Sequence, residues 1–177
     1  MRPRPAKDQF ALQTTVWYIG IDPGANGGVA AISEQSVEWR AMTPSRLMLA
    51  QFLEDFPFCN TVAVVELNSS SPQMGVASAF TFGKNCERPC AMLSALGILY
   101  EEIRPQVWQK FLHIPPRKKA KNGKGGETNT QWKDRLLSKA QQMFPGIGLW
   151  EQTKTVQKAI CDALLIAEYC RRIQLGQ

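Results

Sequence analysis

Residues 61–67 read TVAVVEL and residues 16–33 read VWYIGIDPGANGGVAAIS. The first is an almost unbroken apolar, β-branched run, the pattern of a strand covered on both faces at the centre of a sheet. In the second, two short β-prone runs at 16–21 and 28–33 flank the Gly-rich turn at 22–27, which reads as a hairpin connection. A third strand over 36–42 completes a meander. Working outward, Thr43 or Ser45 caps a helix through Phe56, whose Leu47, Leu49, Ala50, Leu53 and Phe56 form a helical stripe. A long helix is expected over 75–96, with Pro89 kinking or breaking it and Gly97 ending it. A strand at 98–103, a short helix from Pro105 to Leu112, and two last helices at 129–143 and 154–173 follow. The order is that of an α/β protein with a mixed five-stranded sheet flanked by helices.

The whole chain of 177 residues, with 44% hydrophobic and 20% charged residues, is in the range of one ordinary globular domain, read here as residues 16–177. Residues 1–15 carry positive charge without a continuous apolar core. They read as a flexible tail or the remnant of a trimmed targeting segment, not as a secretory signal. The most apolar stretch, ICDALLIA at 160–167, is far shorter than the roughly 20 residues a bilayer demands, so no membrane partner is expected. Five cysteines without a CxxC pair, and His113 as the single histidine, favour free thiols in a reducing compartment over disulfides or zinc. That fits the cytoplasm, or an organelle such as a chloroplast or mitochondrion. Of the net charge of +6, Arg117, Lys118, Lys119, Lys121 and Lys124 supply five, leaving about +1 for the rest of the chain. Basicity concentrated in one loop, about 113–129, suits either a solvated linker or an arm that tracks phosphates.

Three carboxylates stand in apolar sequence. Asp22 ends the first strand where Pro23-Gly24 turns the chain, Glu66 interrupts the most apolar strand, and Asp162 borders the apolar stripe of the last helix. Each is costly to bury unless a cation, a donor or water meets it. Drawn together, three such oxygen ligands would suit a hard cation, magnesium above all.

With these residues in view, the sequence resembles the RuvC-type Holliday-junction resolvases of the ribonuclease H-like superfamily, in their phage, bacterial and organellar branches. YIGIDPG at 18–24, VVE at 64–66 and GVASAFTFG at 75–83 carry the resemblance. LGI at 96–98, RPQVWQK at 104–110, FP at 144–145 and DALLIAEY at 162–169 continue it in order. The resemblance implies a ribonuclease H-like fold, a homodimer, and paired symmetric nicks in four-way junction DNA. It also implies two Mg2+ per active site, replaceable by Mn2+, with Asp22 bridging them and Glu66 and Asp162 completing the metal shells. Lys133 falls where family members carry a lysine near the scissile phosphate.

One departure stands out. The family places a fourth metal-site residue about one turn before the last aspartate, where this chain has Lys158 and Ala159. Either the metal site is thinner, or an inactivating acid-to-alanine change occupies Ala159, the reading we favour. Candidate DNA contacts are the polar stretch Asn68, Ser69, Ser70 and Gln73, together with the loop cations Arg117, Lys118, Lys119, Lys121 and Lys124. Phe80 and Phe82 are candidates to stack on opened bases, with at least one of them expected in the core. The leading function is a structure-selective DNA endonuclease. The alternatives are a non-cleaving junction-binding protein and a ribonuclease H-like nuclease acting on RNA or hybrids.

Overall fold

A computed structural model describes residues 15–69, 73–119 and 125–177. The tail at 1–14, Ser70, Lys121 and Lys124 lie outside the described residues. Strands β1 (Trp17–Asp22), β2 (Gly28–Ile32), β3 (Val37–Ala41), β4 (Thr61–Glu66) and β5 (Leu99–Ile103) form one sheet in the order β3-β2-β1-β4-β5. The first three make an antiparallel meander, and β1, β4 and β5 run parallel. The helices are α1 (Arg46–Glu54), α2 (Val76–Leu96), α3 (Pro105–Phe111), α4 (Asn129–Met143) and α5 (Lys154–Gln174). Among the described residues no helix is long and apolar enough to cross a membrane.

Alternation along the strands builds two cores. Ile19 and Ile21 of β1 and Ala63 and Val65 of β4 pack with Leu49, Leu53, Cys90 and Leu93 beneath α1 and α2. Tyr18 and Val64 point the other way, into the layer made by α3, α4 and α5. Residues 160–170 of α5 are buried without a break, because this helix lies directly on the middle of the sheet. Gly20 makes that approach possible, since a Cβ there would stand 2.2 Å from the Ala163 carbonyl oxygen and the Ala167 nitrogen. Further toward the end of β1, Gly28, paired with Asp22, lies beneath Ala159 and Ile160. The helix therefore runs antiparallel to β1, bringing its Asp162 turn toward the strand's carboxyl end.

Two local expectations resolve. Ser45, not Thr43, caps α1, its side chain accepting from the Met48 N–H. Pro89 does not break α2, which is continuous across it and ends at Gly97 in the left-handed conformation with φ 71°. Proline removes one helical hydrogen bond, but Pro89, Cys90 and Leu93 are the residues α2 buries, so packing holds the helix together where its ladder is weakest.

Candidate active site

The carboxyl ends of parallel strands, beside the point where strand order reverses, are where open α/β sheets place their sites. Here β1 and β4 end on Asp22 and Glu66. These two residues lie one step beyond the Ile21–Val65 pair, on adjacent parallel strands about 5 Å apart, and alternation aims both side chains at the face covered by α5. That helix contributes Asp162. All three carboxylates are buried, at 9%, 7% and 7% exposure.

The turn after β1 is built around Asp22. Its Oδ1 accepts the Gly24 N–H at 3.1 Å, and Gly27 N donates to Gly24 O at 2.9 Å. A Cβ on Gly27 would press to 2.3 Å from the Asp22 carbonyl oxygen, so glycine is required under the carboxylate. Glu66 accepts a 3.0 Å bond from the indole Nε1 of Trp108, a fully buried residue of α3, and a further bond from Asn68. Asp162 Oδ2 meets Lys133 Nζ at 2.5 Å, and its Oδ1 accepts from the Cys161 thiol at 3.2 Å.

Burial, then the Asp22 and Asp162 carboxylates, push Glu66 up to about 7 against the hydrogen bonds that pull it down. Asp22 is raised too, first by burial and then by Asp162, with Gly24 and Lys133 opposing. Burial works to lower Lys133, but the Asp162 carboxylate outweighs it and holds the ammonium above its ordinary value. Three carboxyl groups thus share one cation in a largely buried space, an arrangement suited to binding further positive charge. The donor set, all oxygen, fits a hard divalent ion. As the side chains stand, no three such groups among the described residues close a ligand shell, and Trp108 and Lys133 each engage one carboxylate.

The other expected residues divide. Lys133 reaches the cluster. Asn68 turns back to Glu66, and Ser69 and Gln73 are exposed. Phe80 is 69% exposed with Lys84 Nζ 5.5 Å from its ring centre, and Phe82 is half-buried; among the described residues neither joins the two cores, so the expected core role falls away. The reason is that α2 buries only its Pro89–Leu93 stretch. Lys118 and Lys119 are exposed, whereas Arg117 spends Nε and Nη2 on the Glu127 carbonyl oxygen. Lys158 pairs with Asp134 of α4 at 2.5 Å, and the half-buried Ala159 lies over Gly28.

Sequence reasoning missed Trp108, Cys161 and Cys86. Cys86 on α2 is raised by burial and then by Asp22, Glu102 and Glu66, so the helix on the far face also feels the cluster. A signal existed for Trp108 alone: a buried indole N–H needs an acceptor just as a buried Glu needs a donor.

No family model and no curated protein matches the sequence. Solved structures do. The RuvC of T. thermophilus in complex with a Holliday junction substrate aligns with a TM-score of 0.56 at 15% identity, over 91% of this chain and 96% of that one. A second Thermus thermophilus RuvC structure gives 0.54 at 16% identity, over 91% and 97%. The fold is the ribonuclease H-like fold of these RuvC structures.

Proposed function

We propose that the protein is a structure-selective DNA endonuclease that resolves four-way junctions by paired nicks dependent on magnesium. One observation carries the reading: Asp22, Glu66 and Asp162, from three distant chain segments, are buried on one face of the sheet at the carboxyl ends of parallel strands, with Lys133 bonded to Asp162. Such a cluster weakens the fold unless charge is brought to it, and so marks a site.

In this reading Asp22, Glu66 and Asp162 hold the divalent ions, which when bound neutralise charge at the attacking and leaving oxygens of an in-line displacement. Trp108 fixes the Glu66 carboxylate, and Lys133 places an ammonium beside Asp162 where it can meet a phosphate oxygen. Water adds to phosphorus as the bond to the 3′ oxygen breaks. Ser69, Phe80 and the exposed loop lysines contact the DNA. The surface of α2 beside α1 carries Ala79, Gly83, Ala91 and Ala95 among the charged Lys84, Glu87 and Arg88, with Val76 and Phe80 exposed. A second copy across this face relates two sites by the two-fold axis that symmetric nicks need.

A specific observation favours the non-cleaving alternative. Neither position one turn before Asp162 offers an acid, since Ala159 has no ligand atom and Lys158 is paired with Asp134. The test incubates labelled four-way junction, linear duplex and RNA–DNA hybrid with the chain and with Ala159→Asp, in Mg2+. Symmetric junction cutting by either protein supports the reading, and recovery by Ala159→Asp alone identifies residue 159 as the missing acid. Junction binding without cutting by both supports the non-cleaving alternative. Cutting confined to the hybrid overturns the junction reading.

A further inference from the structure

The basic segment is closed at its base by one acid. Glu127 Oε1 and Oε2 accept Arg135 Nε and Nη2 at 3.0 and 2.8 Å, and Oε2 also accepts the Lys118 N–H at 3.3 Å. Its backbone N–H donates to Lys118 O at 3.0 Å, and its carbonyl oxygen takes both Arg117 bonds. Arg135 also donates to the carbonyls of Pro115 and Pro116, and lies 4.5 Å above the Trp132 ring centre. The two flanks of the loop, at 117–119 and 125–128, are thereby fastened to each other and to the first turns of α4. That helix starts at once from Thr128, whose side chain forms a capping box with Gln131. Lys133, bonded to Asp162, lies early in the helix that Thr128 caps, six residues along the chain from Glu127.

Charge alone gives no reason for Glu127. The segment from Arg117 to Lys124 holds five cations, and an acid beside it lowers its attraction for phosphate. The acid's bonds run instead to the groups that set where the loop leaves the body.

We propose that Glu127 is a positioning residue, fastening the flanks at 117–119 and 125–128 to the helix that carries Lys133 so that a DNA backbone held by Lys118 and Lys119 meets the carboxylate cluster at a fixed offset. This rests on the junction-nuclease reading above. An unfastened loop still attracts DNA but spreads its cations over more directions, so it loses selectivity for junction geometry before it loses affinity.

Charge and position predict opposite outcomes, which makes the proposal testable on the full chain. Dissociation constants for four-way junction and linear duplex, measured in EDTA, are compared for the wild type, Glu127→Ala and Glu127→Gln, together with the rate of trypsin cleavage within the loop. The two variants carry the same charge, but glutamine keeps an acceptor oxygen for Arg135. In Glu127→Ala the preference for junction over duplex falls at least fivefold while duplex binding is unchanged or tighter, and trypsin cuts the loop at least tenfold faster. Glu127→Gln keeps at least half of the preference. Equal behaviour of the two variants, with the preference unmoved and trypsin no faster, overturns the proposal. If the wild type itself shows no preference for junctions, the nuclease reading fails, and the trypsin rates alone decide the clasp: faster cutting only in Glu127→Ala sustains it, equal rates overturn it.

Discussion

Replacing Glu66 by glutamine should make the protein more stable, by an amount that grows as pH rises through the window from about 4.5 to about 7. The folded-state carboxyl titrates at about 7 against an ordinary value of 4.5. Between those values the folded chain keeps a proton that the unfolded chain has released, so stability falls as pH rises through the window and is lowest above it. At about 1.4 kcal/mol for each tenfold in proton affinity, the full effect at pH 8 is about 3 kcal/mol. Glutamine removes the titrating charge while keeping an oxygen to accept the Trp108 N–H, a bond of 3.0 Å in the wild type. Glu66→Gln should therefore come within about 1 kcal/mol of the wild type at pH 5 and exceed it at pH 8 by about 3 kcal/mol, roughly 6–12 °C in Tm for a chain of this size. Thermal and urea unfolding followed by circular dichroism, in EDTA, measure the difference. Groups elsewhere titrate equally in both proteins and cancel. Added magnesium should raise the Tm of the wild type at pH 8 and that of Glu66→Gln much less. A difference that does not grow from pH 5 to pH 8, or a variant less stable at pH 8, refutes the reasoning that burial and neighbouring carboxylates load Glu66.

Two further expectations follow from the packing and the loop. Gly20→Ala forces a Cβ to 2.2 Å from main-chain atoms of α5, which no side-chain motion relieves, so it should cost about 3 kcal/mol or more in urea unfolding; a loss below about 1 kcal/mol would mean that α5 does not rest on β1. Replacing Arg117, Lys118, Lys119, Lys121 and Lys124 by glutamine should lower the slope of log K against log salt by about 0.9 for every cation that meets a phosphate on duplex arms. An unchanged slope would assign the run to solvent.

Asp22, Glu66 and Asp162 were legible because their surroundings are periodic. An acid at the end of an apolar strand, or inside the apolar stripe of a helix, breaks a pattern that single-sequence reading detects. Their partners were not legible. Glu66 and Trp108 lie 42 residues apart and Lys133 and Asp162 lie 29 apart, and no spacing rule pairs donors with acceptors over such distances. Glu127 escaped for a different reason, since a lone acid beside a basic run looks like surface variation until its six bonds are seen together. Pro89 shows tertiary packing overriding a local rule, as the helix is held where its residues enter the core. The turn of 3₁₀ helix at Gly148–Glu151 was also unread, being fixed by Gln157, whose amide donates to the Trp150 and Gln152 carbonyls from the start of α5.

The same geometry separates Lys158 from Ala159. Both lie about one turn before Asp162, so spacing alone left them equivalent. Packing does not: Lys158 extends to Asp134 on α4, while Ala159 lies over Gly28, the β2 residue paired with Asp22. Three residues before Asp162 on the same helix, an acid at 159 should extend toward the cluster, whereas at 158 it should face the Asp134 carboxylate. A fourth carboxylate there adds repulsion to a group that already drives Asp22 and Glu66 upward. Alanine at 159 thus limits the electrostatic load that the fold carries with Lys133 as the bonded ammonium. Ala159→Asp should deepen that load and make stability depend more steeply on divalent cation. The Tm gain on adding magnesium at pH 8 should then be larger in Ala159→Asp than in the chain as it stands, and an equal gain would place residue 159 outside the site.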